Sequence, residues 1–210
     1  MMENKIYNHP YFGEIYYSID IPEQFSGKEN VPMLLFLHGA GERGKDYELL
    51  RKIAVPKLLH EEKIKVNAVT ICPQCPENTT WVNLVHMLCD FIEYAIETYH
   101  IDRNKISLSG VSMGGYGTWD MAMFAPQYFR KIAPICGGGT PWRVNLIQAD
   151  IWAFHGDADD VVPVCNSLTM VDAAKKCGKN VRLTIFHDVS HNSWDEAYLD
   201  SRVLDWLCEF

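Results

Sequence analysis

The 210-residue sequence has no apolar run long enough to cross a bilayer, and its start, Met1-Met2-Glu3-Asn4-Lys5, carries no hydrophobic leader. Neither a membrane anchor nor a signal peptide is expected, and the expected location is the cytoplasm. Positive charge is scarce: 19 Lys and Arg stand against 27 Asp and Glu, a net charge of -8. Nucleic-acid binding relies on Lys and Arg displacing counterions from phosphates, so DNA and RNA are not expected partners. Paired cysteines are also missing. The seven present (72, 75, 89, 136, 165, 177 and 208) are odd in number and scattered, which excludes a small disulfide scaffold and predicts reduced thiols. Cys72-Pro73-Gln74-Cys75 lacks the second ligand pair that zinc requires and the thioredoxin-like context of a redox site, so it reads as structural. No repeat or low-complexity stretch interrupts the chain.

What remains is an ordinary globular composition, 48% hydrophobic and 22% charged, at a length that suits one domain over residues 1–210. Apolar, β-branched runs alternate with segments of helical period, the pattern of a mostly parallel sheet flanked by helices, hence an α/β fold. Buried strands are predicted at 33–37, 68–72, 106–109, 132–135, 151–154 and 182–186, preceded by a hairpin around 13–21. Leu84, Leu88, Phe91, Ile92, Ala95 and Tyr99 recur at i+3 and i+4 and form one face of a long helix. Further helices are predicted at 112–125, ending before Pro126, at 164–178, and from Ser193 to the chain end. In the segment 46–63, Pro56 is predicted to open a second short helix as its first residue.

Three motifs carry chemistry. Directly after the strand at 106–109 comes Gly110-Val111-Ser112-Met113-Gly114, a G-x-S-x-G between strand and helix. A serine on so tight a turn projects its Oγ above the sheet as a nucleophile, and the flanking glycines permit the close backbone approaches the turn demands. After the strand at 33–37 comes His38-Gly39-Ala40-Gly41-Glu42-Arg43-Gly44. Acyl transfer builds charge on a carbonyl oxygen, and fixed backbone N–H groups stabilise it; the donors are assigned to Ala40 and Met113. Glu42 and Arg43 are read as scaffold for this loop.

The acid and base of a serine triad follow the nucleophile along the chain in this arrangement. After the strand at 151–154, the run His155-Gly156-Asp157-Ala158-Asp159-Asp160 holds three aspartates, any of which could orient a base. Ahead of the last helix lies Asp188-Val189-Ser190-His191-Asn192-Ser193-Trp194, which makes His191 the general base. His187 is the rival, but its parity with Val181, Leu183 and Ile185 places it on the strand face. No helix carries His187 and His191, so their spacing does not suit a metal, and His155 is read as bracing the acid loop.

With these segments in order, residues 31–194 resemble the small carboxylesterases of the α/β-hydrolase superfamily, allied to phospholipase/carboxylesterases, feruloyl esterases and polyhydroxybutyrate depolymerases. The resemblance implies an α/β-hydrolase fold and Ser112, Asp159 and His191 as nucleophile, acid and base. Asp160 stands where the family commonly has proline and Ser190 where it has glycine, which keeps Asp157 and Asp160 as secondary acid candidates. Trp81, beside Pro73-Gln74 and Cys75-Pro76, falls at a cleft-bordering position and is a substrate-binding candidate, as is Trp142 in the link between the strands at 132–135 and 151–154. That link is too short for a helical cap. The activity so implied is hydrolysis of a small-molecule ester through an acyl-enzyme, with no cofactor or metal. Thioester or peptide cleavage on the same residues is the alternative, and a catalytically silent binding module is the rival of another class.

Overall fold

The computed structural model describes residues 2–199 and 201–210. Its centre is an eight-stranded sheet in the order β1-β2-β4-β3-β5-β6-β7-β8, antiparallel at β1–β2 and β2–β4 and parallel from β4 onward. The strands are β1 (Glu3–His9), β2 (Gly13–Asp20), β3 (Val31–Leu37), β4 (Val69–Pro73), β5 (Ile101–Val111), β6 (Lys131–Ile135), β7 (Asp150–Gly156) and β8 (Val181–Phe186). This is the mostly parallel α/β sheet that the alternation of the sequence predicts.

Both faces of the central strands are buried, and for that reason β3 reads as a nearly continuous apolar run. Its alternate residues serve two cores. Met33, Leu35 and Leu37 join the cluster under α3 (Val85–Tyr99), α4 (Met113–Phe124) and α5 (Cys165–Lys176). Leu34 and Phe36 join the opposite cluster with α2 (Ala54–His60), α6 (Trp194–Leu199) and α7 (Ser201–Cys208). A further short helix, α1 (Tyr47–Leu50), precedes α2. The period of the strand thus distributes one sequence between two packed layers. Among the described residues, no helix is long and apolar enough to cross a membrane.

Three local expectations change. The hairpin expected around 13–21 is a single strand, β2, whose partner β1 lies earlier, at Glu3–His9. As the edge strand, β1 exposes Glu3, Asn4 and Lys5 and so shows no apolar period. Its turn is held by His9, whose Nδ1 accepts the N–H groups of Tyr11 and Phe12 while its Nε2 donates to Asp90 on α3. Pro56 is the third residue of α2, not the first. The missing N–H costs nothing there, because first-turn amides have no intrahelical acceptor. The segment from Ser193 contains α6 and α7 on either side of residue 200, which lies outside the described residues.

The connection from β6 to β7 contains one six-residue 3-10 helix, Pro141–Leu146, and among the described residues no helical cap is inserted there. It is at the carboxyl end of the sheet that β3, β5, β7 and β8 deliver their following loops, the usual place for a site in an open α/β sheet.

Candidate active site

At the end of β5 the chain turns into α4 through one residue, Ser112, at φ 55° and ψ −116°. A side chain rarely adopts a positive φ, so surrounding contacts must hold it. They do so by close backbone approach: a Cβ on Gly114 would strike the Leu37 carbonyl, and one on Gly110 would strike the Gly114 carbonyl. Ser112 N–H donates to Ile135 O at 3.0 Å, tying the turn to β6. The hydroxyl is left facing outward, and the helix start behind it directs free N–H groups toward the same space.

Asp159 follows β7 and His191 follows β8. The two loops are joined by Asp157 N–H to Phe186 O at 3.0 Å and Ala158 N–H to Val189 O at 3.1 Å. His191 Nδ1 lies 2.8 Å from Asp159 Oδ2, and His191 Nε2 lies 2.9 Å from Ser112 Oγ. An ionised carboxylate can only accept, so Nδ1 carries the proton, Nε2 accepts, and the Ser112 hydroxyl donates. The three residues singled out from the sequence therefore lie in one hydrogen-bonded line.

Asp159 is 8% exposed. Burial alone would raise its pKa, but hydrogen bonds from His191, Val162 and Val161 more than offset this and hold the carboxyl below its ordinary range. His155 Nε2 also approaches Oδ2 at 3.2 Å while bonding Val162 O at 2.8 Å, so His155 braces the acid loop as expected. The secondary acids lie elsewhere. Asp157 is on the surface, accepting from His187 Nδ1 at 2.7 Å and Asp188 N–H at 2.8 Å. Asp160 is exposed. His187 itself is not on the strand face: β8 ends at Phe186, the chain turns through Asp188 at φ 57°, and the His187 side chain is 87% exposed.

The loop after β3 is set by side chains that grip its carbonyls. His38 Nε2 accepts from Cys75 N–H at 2.9 Å, which assigns the proton to Nδ1, and Nδ1 then donates to Gly39 O at 2.6 Å. Trp81 Nε1 donates to His38 O, and Arg43 Nε to Ala40 O, each at 2.9 Å. Gln74 Nε2 donates to Glu42 O and Asp46 O, both at 2.8 Å. Across a planar trans peptide the C=O and N–H point in opposite directions, so a pinned Gly39 carbonyl fixes the direction of the Ala40 N–H. Gly39 packs over Ser112: a Cβ built there would sit 3.8 Å from Ser112 Cβ.

Burial lowers the His38 pKa to about 4, so its 3.8 Å approach to Glu42 is not an ion pair at neutral pH. Burial raises the pKa of Glu42, whose Oε2 is enclosed without a hydrogen-bond partner among the described residues. Arg43 also reaches Thr79 O at 3.3 Å. Arg43 thus serves the loop, in keeping with the scaffold reading.

The two tryptophan candidates fall differently. Trp81 is 0% exposed, packed against Gly117 of α4 and edge-on to His38, so it presents no surface to a substrate; its contribution passes through the His38 carbonyl. Trp142 is 82% exposed on the β6–β7 link and does not line the apolar pocket beside Ser112. That pocket is formed by Thr80, Val82, Met113 and Tyr116, of which only Met113 belongs to a motif read from the sequence. Trp194 was also missed as a contact; its ring stands edge-on to His191, with centroids 5.4 Å apart.

Cys136, Asp159 and His191 bring their ligand atoms within 4.8 Å of one another. Metal binding requires the thiolate, and burial pushes the Cys136 thiol up to about 12, which makes it a poor ligand at neutral pH. Cys72 and Cys75 are likewise buried thiols with raised pKa values, and neither is in a disulfide.

Comparison with solved structures places a thermostable esterase over 98% of this chain at 31% identity and a TM-score of 0.85. The chain spans 62% of that esterase's length. A feruloyl esterase module from Clostridium thermocellum (14% identity, TM-score 0.77, 99% of this chain and 86% of that one) shares the fold. So does an acylaminoacyl peptidase from Pyrococcus horikoshii (16% identity, TM-score 0.75, 99% of this chain and 42% of that one). Comparison with curated proteins finds no match. Residues 70–201, more than half of the chain and including Ser112, Asp159 and His191, match the phospholipase/carboxylesterase family, and the chain belongs to that family of α/β-hydrolases.

Proposed function

We propose that this protein is a serine hydrolase of small-molecule carboxylic esters, working without cofactor or metal through an acyl-enzyme on Ser112. The observation that carries the reading is the line Ser112 Oγ, His191 and Asp159, with separations of 2.9 and 2.8 Å on a strained strand-to-helix turn. Such a turn costs about 1–3 kcal/mol and is retained where the geometry serves chemistry.

Ser112 Oγ adds to the ester carbonyl carbon as its proton passes to His191 Nε2. The carbonyl oxygen becomes an oxyanion, received by the N–H groups of Ala40 and Met113. Collapse breaks the carbon–oxygen bond to the alcohol, whose oxygen takes the proton from His191. Water then repeats the sequence: its proton goes to His191, its hydroxyl joins the acyl carbon, the acid departs, and Ser112 recovers its proton. Asp159, held ionised below its ordinary pKa, fixes the tautomer of His191 and stabilises its charged form throughout.

Labelling with a fluorophosphonate tests this directly. One probe per chain should attach at Ser112, and Ser112→Ala should abolish labelling and lower ester turnover by about a thousandfold to a millionfold. Retained labelling in the variant, or none in the wild type, overturns the reading. A thioester and a peptide anilide in the same assay separate ester preference from the thioesterase and peptidase alternatives, which use the same residues.

A further inference from the structure

We propose that the pocket lined by Thr80, Val82, Met113 and Tyr116 is the acyl subsite, and that the substrates are esters of compact apolar acids joined to alcohols of little restricted size. The inference rests on the ester-hydrolase reading and extends it to the substrate class.

Topology decides which half of the ester the pocket receives. In the sheet order, β3 and β4 lie on one side of β5, and β6, β7 and β8 lie on the other. His191 reaches Ser112 from the β8 side. Since the leaving alcohol takes its proton from His191, it must face that side. Thr80 and Val82 come from the segment after β4, which packs on α4 through Trp81 and Gly117. Thr80 and Val82 thus place one wall of the pocket on the flank of Ser112 away from β8, with Met113 and Tyr116 of α4 closing it, and the acyl part is the half of the ester that points there.

The lining determines the chemistry. Its four lining residues offer an almost wholly apolar surface, and none of them adds charge. The volume is about 300 Å³, at the small end of ligand pockets, and suits one short chain or a single ring. Two walls cannot recede. Trp81 behind the pocket is fully buried, and Tyr116 is backed by Gly138, where even a Cβ would come within 3.0 Å of Tyr116 Cε1. Val82 forms the rim and is 41% exposed, so it can be changed without emptying the core. Among the described residues no cap closes the cleft on the alcohol side, and Val161 of the acid loop stands 64% exposed.

The test uses p-nitrophenyl esters of rising acyl length, which hold the alcohol constant, and acetates of several alcohols, which hold the acid constant. For the wild type, kcat/KM should rise about fourfold per methylene over the first few carbons as the pocket fills, then fall. Val82→Trp should lower the butyrate-to-acetate ratio by about tenfold, and Val82→Ala should move the optimum to longer acids. Neither variant should change the order of the acetates. If esters are cleaved but the acyl ratio stays within twofold in both variants, or the order of the alcohols changes instead, the subsite assignment is wrong. If no ester or fluorophosphonate reacts at Ser112, the hydrolytic reading fails and the subsite fails with it.

Discussion

Trp81 and His38 meet edge to face, with ring centroids 5.0 Å apart, and the indole N–H of Trp81 donates to the His38 carbonyl at 2.9 Å. This contact turns a fully buried aromatic into a support for the loop over Ser112. The support acts on the backbone through an indole that is fully buried.

Trp81→Phe should therefore keep the ring packing, lose the bond to His38 O and lower kcat by about tenfold. That is less than the hundredfold or more that follows loss of an oxyanion donor itself. Steady-state kinetics over the acyl series should show an unchanged chain-length preference. A shifted preference would mean that Trp81 contacts the acyl group.

His38 makes the fold sensitive to acid. Its folded pKa is lowered by burial from 6.5 to about 4, so the unfolded chain binds the extra proton first as the pH falls. The stabilisation is fully present above pH 6.5 and is lost as the pH drops toward the folded value, by about 3 kcal/mol in all. Urea unfolding between pH 7 and pH 4.5 should show this slope, and His38→Gln should flatten it while lowering stability at pH 7. An equal slope in the variant would assign the acid sensitivity to other groups.

The acid loop separates two aspartates two residues apart. Asp159→Asn should reduce kcat by about a thousandfold to ten-thousandfold, because the amide no longer selects the productive tautomer of His191. Asp157→Asn removes only the surface contacts to His187 and Asp188, and its kcat should stay within about threefold of the wild type. Equal losses in two folded variants would contradict the assignment of Asp159.

The strain at Ser112 can be read as stability. At φ 55° and ψ −116° a side chain is disfavoured and glycine is not, so Ser112→Gly should be about 1 kcal/mol more stable than Ser112→Ala, both being inactive. Thermal or urea unfolding of the pair measures the difference. A less stable glycine variant would show that the turn is unstrained.

Much of the architecture was legible because its signals are local. A parallel sheet buried on both faces must be written in continuous apolar runs, and β3 to β7 were found in that way. The segment Gly110 to Gly114 announces its turn for the same reason, since a backbone that approaches Leu37 O and Gly114 O admits only glycine there. Strand β1 was not legible: it is an exposed edge strand, and its place is decided by pairing with β2. His187 was misplaced because parity along a strand says nothing of where the strand ends, and that end is set by Asp157, a residue of another loop.

By itself, the sequence determined strands β3 to β8, the order of the chemical motifs and the candidates Ser112 and His191, which rest on residues adjacent in the chain, while the preference for Asp159 came from the family resemblance. The tertiary structure alone decided that Asp159 rather than Asp157 faces His191, that Trp81 is enclosed, and that Thr80, Val82 and Tyr116 join Met113 around one pocket. These depend on segments far apart in the chain meeting at the carboxyl end of the sheet, where packing between elements, and not local pattern, sets every distance.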